Sequence, residues 1–214
     1  MNLKHDSSPV RRRGRPCKHA ADLGETRELL LRTGVEVLTE QGFSATGIDQ
    51  ILRRVGVPKG SFYNYFKNKE AFGAELIERY RVYFLRKLEK RLGNAALSPL
   101  ARLKAFITDA QGGMQKFDFS RGCLAGNLGQ EMGTLPETYR AQLNAVFADW
   151  QGRLARNFEA AQAAGEIAGD ADCRRLAAFF WIGWEGAVMR AKLEKSAAPL
   201  EIFAEGFFAS VARR

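Results

Sequence analysis

An all-α fold is predicted, on three observations. Apolar residues recur at three- and four-residue spacing from about residue 22 to the end of the chain. No segment alternates apolar and polar residues as a half-buried strand does. The breaks between periodic segments carry helix punctuation, with Ser, Thr, Asn, Asp or Pro before a segment and Gly after it. With 214 residues and 46% apolar content, the chain can bury a sizeable core.

The elements follow in order. Residues 1–21 are polar, basic and marked by Pro and Gly, which predicts a disordered arm. The first helix spans about 25–41, with Leu30, Gly34, Val37 and Leu38 on one face and Gly42 as its stop. Thr46 is expected to cap a second helix whose apolar face is Ile48, Ile51, Leu52 and Val55. Gly56-Val57-Pro58 breaks that helix, and a short third helix covers 59–66. Asn68 caps a long helix over 69–92. Ser98-Pro99 reads as cap and first position of a helix to about residue 117. A loop at 118–122 precedes a short helix over 123–132, and Leu135-Pro136 opens a long one to about 164. Gly165 and Gly169 mark a turn, Asp170 caps a helix to about 194, and Pro199 starts a last helix ending near 212. Three parts result: the arm 1–21, a domain at 24–84 and a domain at 95–214. No flexible linker separates the two domains, so their boundary falls inside the 69–92 helix.

Composition narrows the function. Net charge is +9, and the excess is clustered. Lys4, Arg11, Arg12, Arg13, Arg15 and Lys18 face a single acid, Asp6, in the arm; Arg53, Arg54, Lys59, Lys67 and Lys69 form a second group. Such clustering favours an anionic partner. The two histidines, His5 and His19, both lie outside the helical body, which leaves that body without an imidazole for a catalytic base or metal ligand. Three cysteines, Cys17, Cys123 and Cys173, are spaced for neither a disulfide framework nor a zinc site. An enzyme, a metal site and a cofactor are not expected. Neither a signal-type apolar run nor a membrane-spanning one is present, so a cytoplasmic location is expected.

Three short helices with a tight turn before the third make a helix-turn-helix unit, its motif at 47–66. In the third helix Phe62 and Phe66 lie four apart and anchor one face. Lys59, Gly60, Ser61, Tyr63, Asn64 and Tyr65 are left to face or flank a DNA groove. Lys59 and Asn64 can reach base edges, and tyrosine hydroxyls can donate to phosphate. Thr46 is expected to offer its amide and hydroxyl to a phosphate, with Lys67 and Lys69 adding charge. Gly42-Phe43-Ser44-Ala45-Thr46-Gly47-Ile48 and the run from Val57 to Glu70 resemble the signature of the TetR family of transcriptional regulators. That resemblance implies a TetR-type all-α fold: a three-helix DNA-binding domain and a helical ligand-binding and dimerisation domain. Asn64 departs from the histidine that many relatives carry, which bears on operator sequence. In the arm, Arg13-Gly14-Arg15-Pro16 resembles an AT-hook core, whose arginines enter a narrow minor groove; diffuse phosphate contacts are the alternative.

The C-terminal domain carries two apolar helices. One holds Phe179, Phe180, Trp181, Ile182, Trp184, Val188 and Met189; the last holds Ile202, Phe203, Phe207 and Phe208. Both are expected to pair with their copies in a homodimer, setting two reading helices about one DNA turn, roughly 34 Å, apart on a pseudopalindrome. Cys123 stands at the start of the short helix, where dipole and amides favour a thiolate; a plain buried cysteine is the alternative. The run from Arg121 to Met132 and the run from Phe180 to Glu194 resemble the acrylate-responsive branch of the family, and more distantly the branch sensing N-ethylmaleimide and other electrophiles. The resemblance implies a small-molecule inducer, an unsaturated acid or electrophile. Trp181, Trp184 and Met189 could wall a cavity, with at least one of the two tryptophans expected to be plain core packing, and Asn127 and Gln130 offer neutral donors. Arg190 or Lys192 could neutralise a carboxylate, oriented by Glu185. Reversible binding and covalent modification of Cys123 both stay open.

Overall fold

The computed structural model describes residues 20–211, with side chains from residue 23 onward. Every regular element among them is helical: α1 (Ala20–Gln41), α2 (Ile48–Arg54), a 3-10 helix (Lys59–Asn64), α3 (Lys69–Leu92), α4 (Pro99–Gln115), α5 (Leu124–Gln130), α6 (Glu137–Ala163), α7 (Cys173–Glu194) and α8 (Ala198–Val211). The basic arm with Arg13 and Arg15 lies outside the described residues, as does Cys17.

Several boundaries differ from expectation, each for a local reason. α1 begins at Ala20, inside the tract expected to be disordered. Thr46 does not cap α2; Gly47 holds that position, with no side-chain cap. The Thr46 hydroxyl instead donates to the Gly42 carbonyl at 2.6 Å and is buried, which closes the turn after α1. Asp172, not Asp170, caps α7 by accepting from the Arg175 amide at 3.0 Å. Asn68 caps α3 as expected, accepting from the Ala71 amide at 2.7 Å. The third helix of the motif is a 3-10 turn that ends at Asn64, two residues early.

α3 runs through both halves. Its N-terminal Phe72 meets Phe62 and Phe66 at ring separations of 5.5 and 4.6 Å under the helix-turn-helix unit. Its C-terminal half contributes Tyr80 and Phe84 to an aromatic core in the other half. There Phe84 lies 4.2 Å from Trp150, and Trp150 lies 5.0 Å from Trp181. Buried aromatics of this size dominate core energetics; removing one costs about 3–5 kcal/mol. α7 buries Phe180, Trp181, Trp184 and Val188 in that core but leaves Phe179, Ile182, Met189 and Leu193 exposed on its far side. Its apolar character all round therefore serves two surfaces, one of them unpartnered in the single chain. Among the described residues no helix is long and apolar enough to cross a membrane.

Candidate functional site

The reading segment is built by two anchors. Phe62 and Phe66 are both buried, 5.4 Å apart, and bind the 3-10 helix to the core. The opposite flank is open: Lys59, Gly60 and Asn64 are exposed, and Tyr63 is 66% exposed. Ser61 and Tyr65 are half-buried. Lys59 pairs with Asp49 of α2 at 2.8 Å, which raises its pKa and keeps it charged at any physiological pH. Lys67 is exposed at the base of α3. Two expected phosphate ligands are not available. Thr46 is buried in its own turn. The Lys69 ammonium donates to the Phe43 carbonyl at 3.0 Å and lies 4.4 Å over the Phe43 ring, and its burial lowers its pKa.

The second site is a cavity of about 500 Å³ between α1, α3, α4 and α7. Its apolar wall includes Tyr80, Tyr83, Phe84, Met114, Phe117 and Trp184. Arg32, Arg79, Lys87 and Arg121 are its cations; Glu36 and Glu185 are its acids. Cys123 and Glu185 both line it. Burial pushes the Glu185 carboxyl up to about 7, a hydrogen bond with Cys123 opposing only part of that. The Glu185 carboxylate packs on Gly126, where any Cβ would overlap it, so glycine in this short helix admits the acid.

Cys123 is not an activated thiol. It caps α5, its sulfur 3.4 Å from the Gly126 amide, as the helix-end argument requires. Burial nevertheless pushes the thiol well up, the Glu185 charge adds to that, and the amide's opposite pull is weaker than both. Desolvation outweighs the dipole here.

Other expected cavity residues stand elsewhere. Trp181 is the tryptophan that is core, packed on Trp150, while Trp184 reaches the cavity. Met189 is exposed on the outer face of α7. Arg190 is exposed and pairs with Glu194, one turn along the same helix. Gln130 is exposed and bonds back to the Gly126 carbonyl. Asn127 and Lys192 act on α1 instead. Asn127 donates to the Leu38 and Thr39 carbonyls at 3.0 and 3.1 Å, and Lys192 to those of Thr39 and Glu40 at 3.3 and 2.6 Å. The Gly122 amide adds a third donor to Thr39 at 3.0 Å. These bonds satisfy the Thr39 and Glu40 carbonyls at the end of α1 and add to the Gly42 amide's bond on Leu38. The cations that do face the cavity come from α1, α3 and the loop before α5, and helix periodicity alone gave no reason to bring those together.

One segment thus does two things. Arg121, Gly122 and Cys123 wall the cavity, and the stretch from Arg121 to Glu131 grips the end of α1 and the turn into the reading head. Among the described residues no cluster of His, Cys, Asp or Glu could hold a metal ion. A helix-turn-helix with an exposed reading flank, whose first helix also walls a cavity shared with the later helices, is the build of a DNA-binding transcriptional regulator. The chain belongs to the TetR family: residues 30–76 match the profile of bacterial regulatory proteins of the tetR family, and residues 99–207 match the tetracyclin repressor-like C-terminal domain. It is 52% identical to the transcriptional regulator AcuR of Cereibacter sphaeroides over 92% of this chain and 89% of that one. It is 29% identical to the transcriptional repressor NemR of Escherichia coli K12, over 83% and 89%. Among solved structures, a regulatory protein TetR from Rhodobacter sphaeroides superposes with a TM-score of 0.85 at 51% identity, over 86% of this chain and 98% of that one. Its family and the relatives it matches are transcriptional regulators, not enzymes.

Proposed function

We infer that this protein is a cytoplasmic homodimeric repressor that leaves its operator when a small unsaturated acid or electrophile of the acrylate kind enters the cavity. The genes under it would then serve breakdown or detoxification of that compound. One observation carries the reading: the wall of the cavity and the clamp on the end of α1 are the same stretch of chain. A ligand that favours another arrangement of Arg121–Cys123 shifts the reading heads with it, and DNA weakens ligand binding reciprocally. Similarity to the regulator AcuR, and more distantly to the repressor NemR, supports the repressor part of this reading.

Lys59, Gly60, Ser61, Tyr63, Asn64 and Tyr65 would meet the major groove, with Lys67 beside them. Arg13 and Arg15 of the arm would add minor-groove or phosphate contacts and salt sensitivity. The exposed apolar faces of α7 and α8 would pair with a second copy, the dimer that a pseudopalindromic operator needs. Reversible binding is favoured over covalent capture, because the Cys123 thiol is buried and held protonated. The test of the DNA half is anisotropy of a duplex from the protein's own promoter region. Lys59→Ala and Tyr63→Ala should each abolish specific binding with unchanged melting temperature; parent-like binding by both would refute the reading.

A further inference from the structure

Arg121 belongs to two structures at once. Its side chain lines the cavity, and its guanidinium pairs with Glu36 at 3.5 Å and Glu40 at 3.0 Å, both on α1. The pairing is incomplete. Nε and one terminal nitrogen converge on the single oxygen Glu40 Oε1, since Arg54 holds the other oxygen at 3.1 Å, and Glu36 stands farther off at 3.5 Å. A guanidinium binds best to a carboxylate that offers two coplanar oxygens. Its central carbon lies 4.0 Å over the Phe117 ring, which also lines the cavity.

The other cations facing the cavity are less suited. Arg79 and Lys87 each have a carboxylate away from α1's end, Glu28 and Asp109. Their side chains are 44% and 34% exposed against 24% for Arg121, and Arg32 is exposed as well. Charge pairing strengthens as water is excluded, so the sheltered arginine is the strongest receptor for an anion.

We propose that Arg121 is the receptor for a carboxylate ligand, and that the ligand acts by taking this guanidinium from Glu36 and Glu40. The proposal rests on the functional reading above and deepens it to a ligand class, a monocarboxylate with a short apolar body. Such a ligand presents two oxygens to Arg121 and sets a negative charge beside Glu36, which also lines the cavity. Glu36 is then left without its cation and Glu40 with Arg54 alone, at 3.1 Å, near the C-terminus of α1, where the helix dipole already disfavours negative charge. That end of α1 is the one that Gly122, Asn127 and Lys192 hold. The carboxylate therefore binds more tightly to the conformer in which Arg121 has left α1, and that difference drives the shift.

The test is calorimetric titration of the full-length protein with acrylate and with acrylamide, its neutral counterpart. Parent, Arg121→Gln and the double variant Glu36→Gln/Glu40→Gln are compared. The parent should prefer acrylate. Arg121→Gln should weaken acrylate binding about tenfold or more and lose the preference. The double variant should bind acrylate more tightly than the parent, because no rival carboxylate competes. A merely structural role for these residues would weaken binding in both variants and never tighten it. Should Arg121→Gln fail to fold, the double variant decides alone. Parent-like acrylate affinity in Arg121→Gln, or no tightening in the double variant, overturns the assignment and leaves the functional reading standing. No acrylate binding by the parent overturns both.

Discussion

The carboxylate of Glu131 accepts the Phe43 amide through both of its oxygens, at 3.0 and 3.2 Å. It also takes the Ser44 amide at 2.7 Å. By these bonds the C-terminal half holds the turn that leads from α1 into the reading head. Gly42 makes the approach possible: its φ of +80° is left-handed, and any Cβ there would overlap the Glu131 carboxylate.

Removing either partner should loosen the head. Glu131→Ala leaves the largely buried Phe43 amide unpaired, at a cost of about 1–3 kcal/mol. Gly42→Ala combines backbone strain with the overlap and should cost a similar amount, about 1–3 kcal/mol. Urea unfolding checks stability, and operator anisotropy should show weakened DNA binding in both variants.

Glu185 should make stability pH-dependent. Its folded value is about 7 against an ordinary 4.5. Between those values the unfolded chain has released the proton and the folded chain has kept it, so stability falls as pH rises through this window. Glu185→Gln should remove that slope and melt at a higher temperature than the parent above pH 7. Melting curves across the window check it. The same sign applies to an anionic ligand, which should bind more tightly below pH 7, where Glu185 is neutral.

Cys123 should react slowly. Its thiol is buried and held protonated by burial and by Glu185. Peptide mapping after iodoacetamide at neutral pH should show slow modification of Cys123, accelerated in Glu185→Gln. Cys123→Ser should keep its ligand response; its loss would favour a covalent switch.

The outer face of α7 should be the dimer surface. Ile182 and Leu193 are 73% and 76% exposed, and Ile202 of α8 is exposed as well. Ile182→Glu with Leu193→Glu should give monomers in analytical ultracentrifugation and lose operator binding, while the helical signal is unchanged.

Much of this was legible in the residues. Helical spacing and caps such as Asn68 located most elements, and the Phe62/Phe66 pair identified which flank of the reading segment is anchored. Local rules failed where a tertiary bond competed. Thr46 is a good cap by type, yet its hydroxyl closes the preceding turn. Cys123 has the helix-end setting of a thiolate, yet burial outweighs it. The cavity was the least legible part. Met189, Arg190 and Lys192 are chemically apt, but helix rotation turns the first two outward and commits the third to α1's carbonyls. Arg121, though part of a recognisable run, gains its meaning only from Glu36 and Glu40, some eighty residues away in the chain.

Titration of operator-bound protein with acrylate, followed by anisotropy of the labelled duplex, bears most directly on the link between cavity and reading head. Saturable release of the duplex is predicted, with the acid binding less tightly to the DNA complex than to free protein by the same factor. Operator affinity that stays constant while calorimetry shows the cavity filled would contradict it.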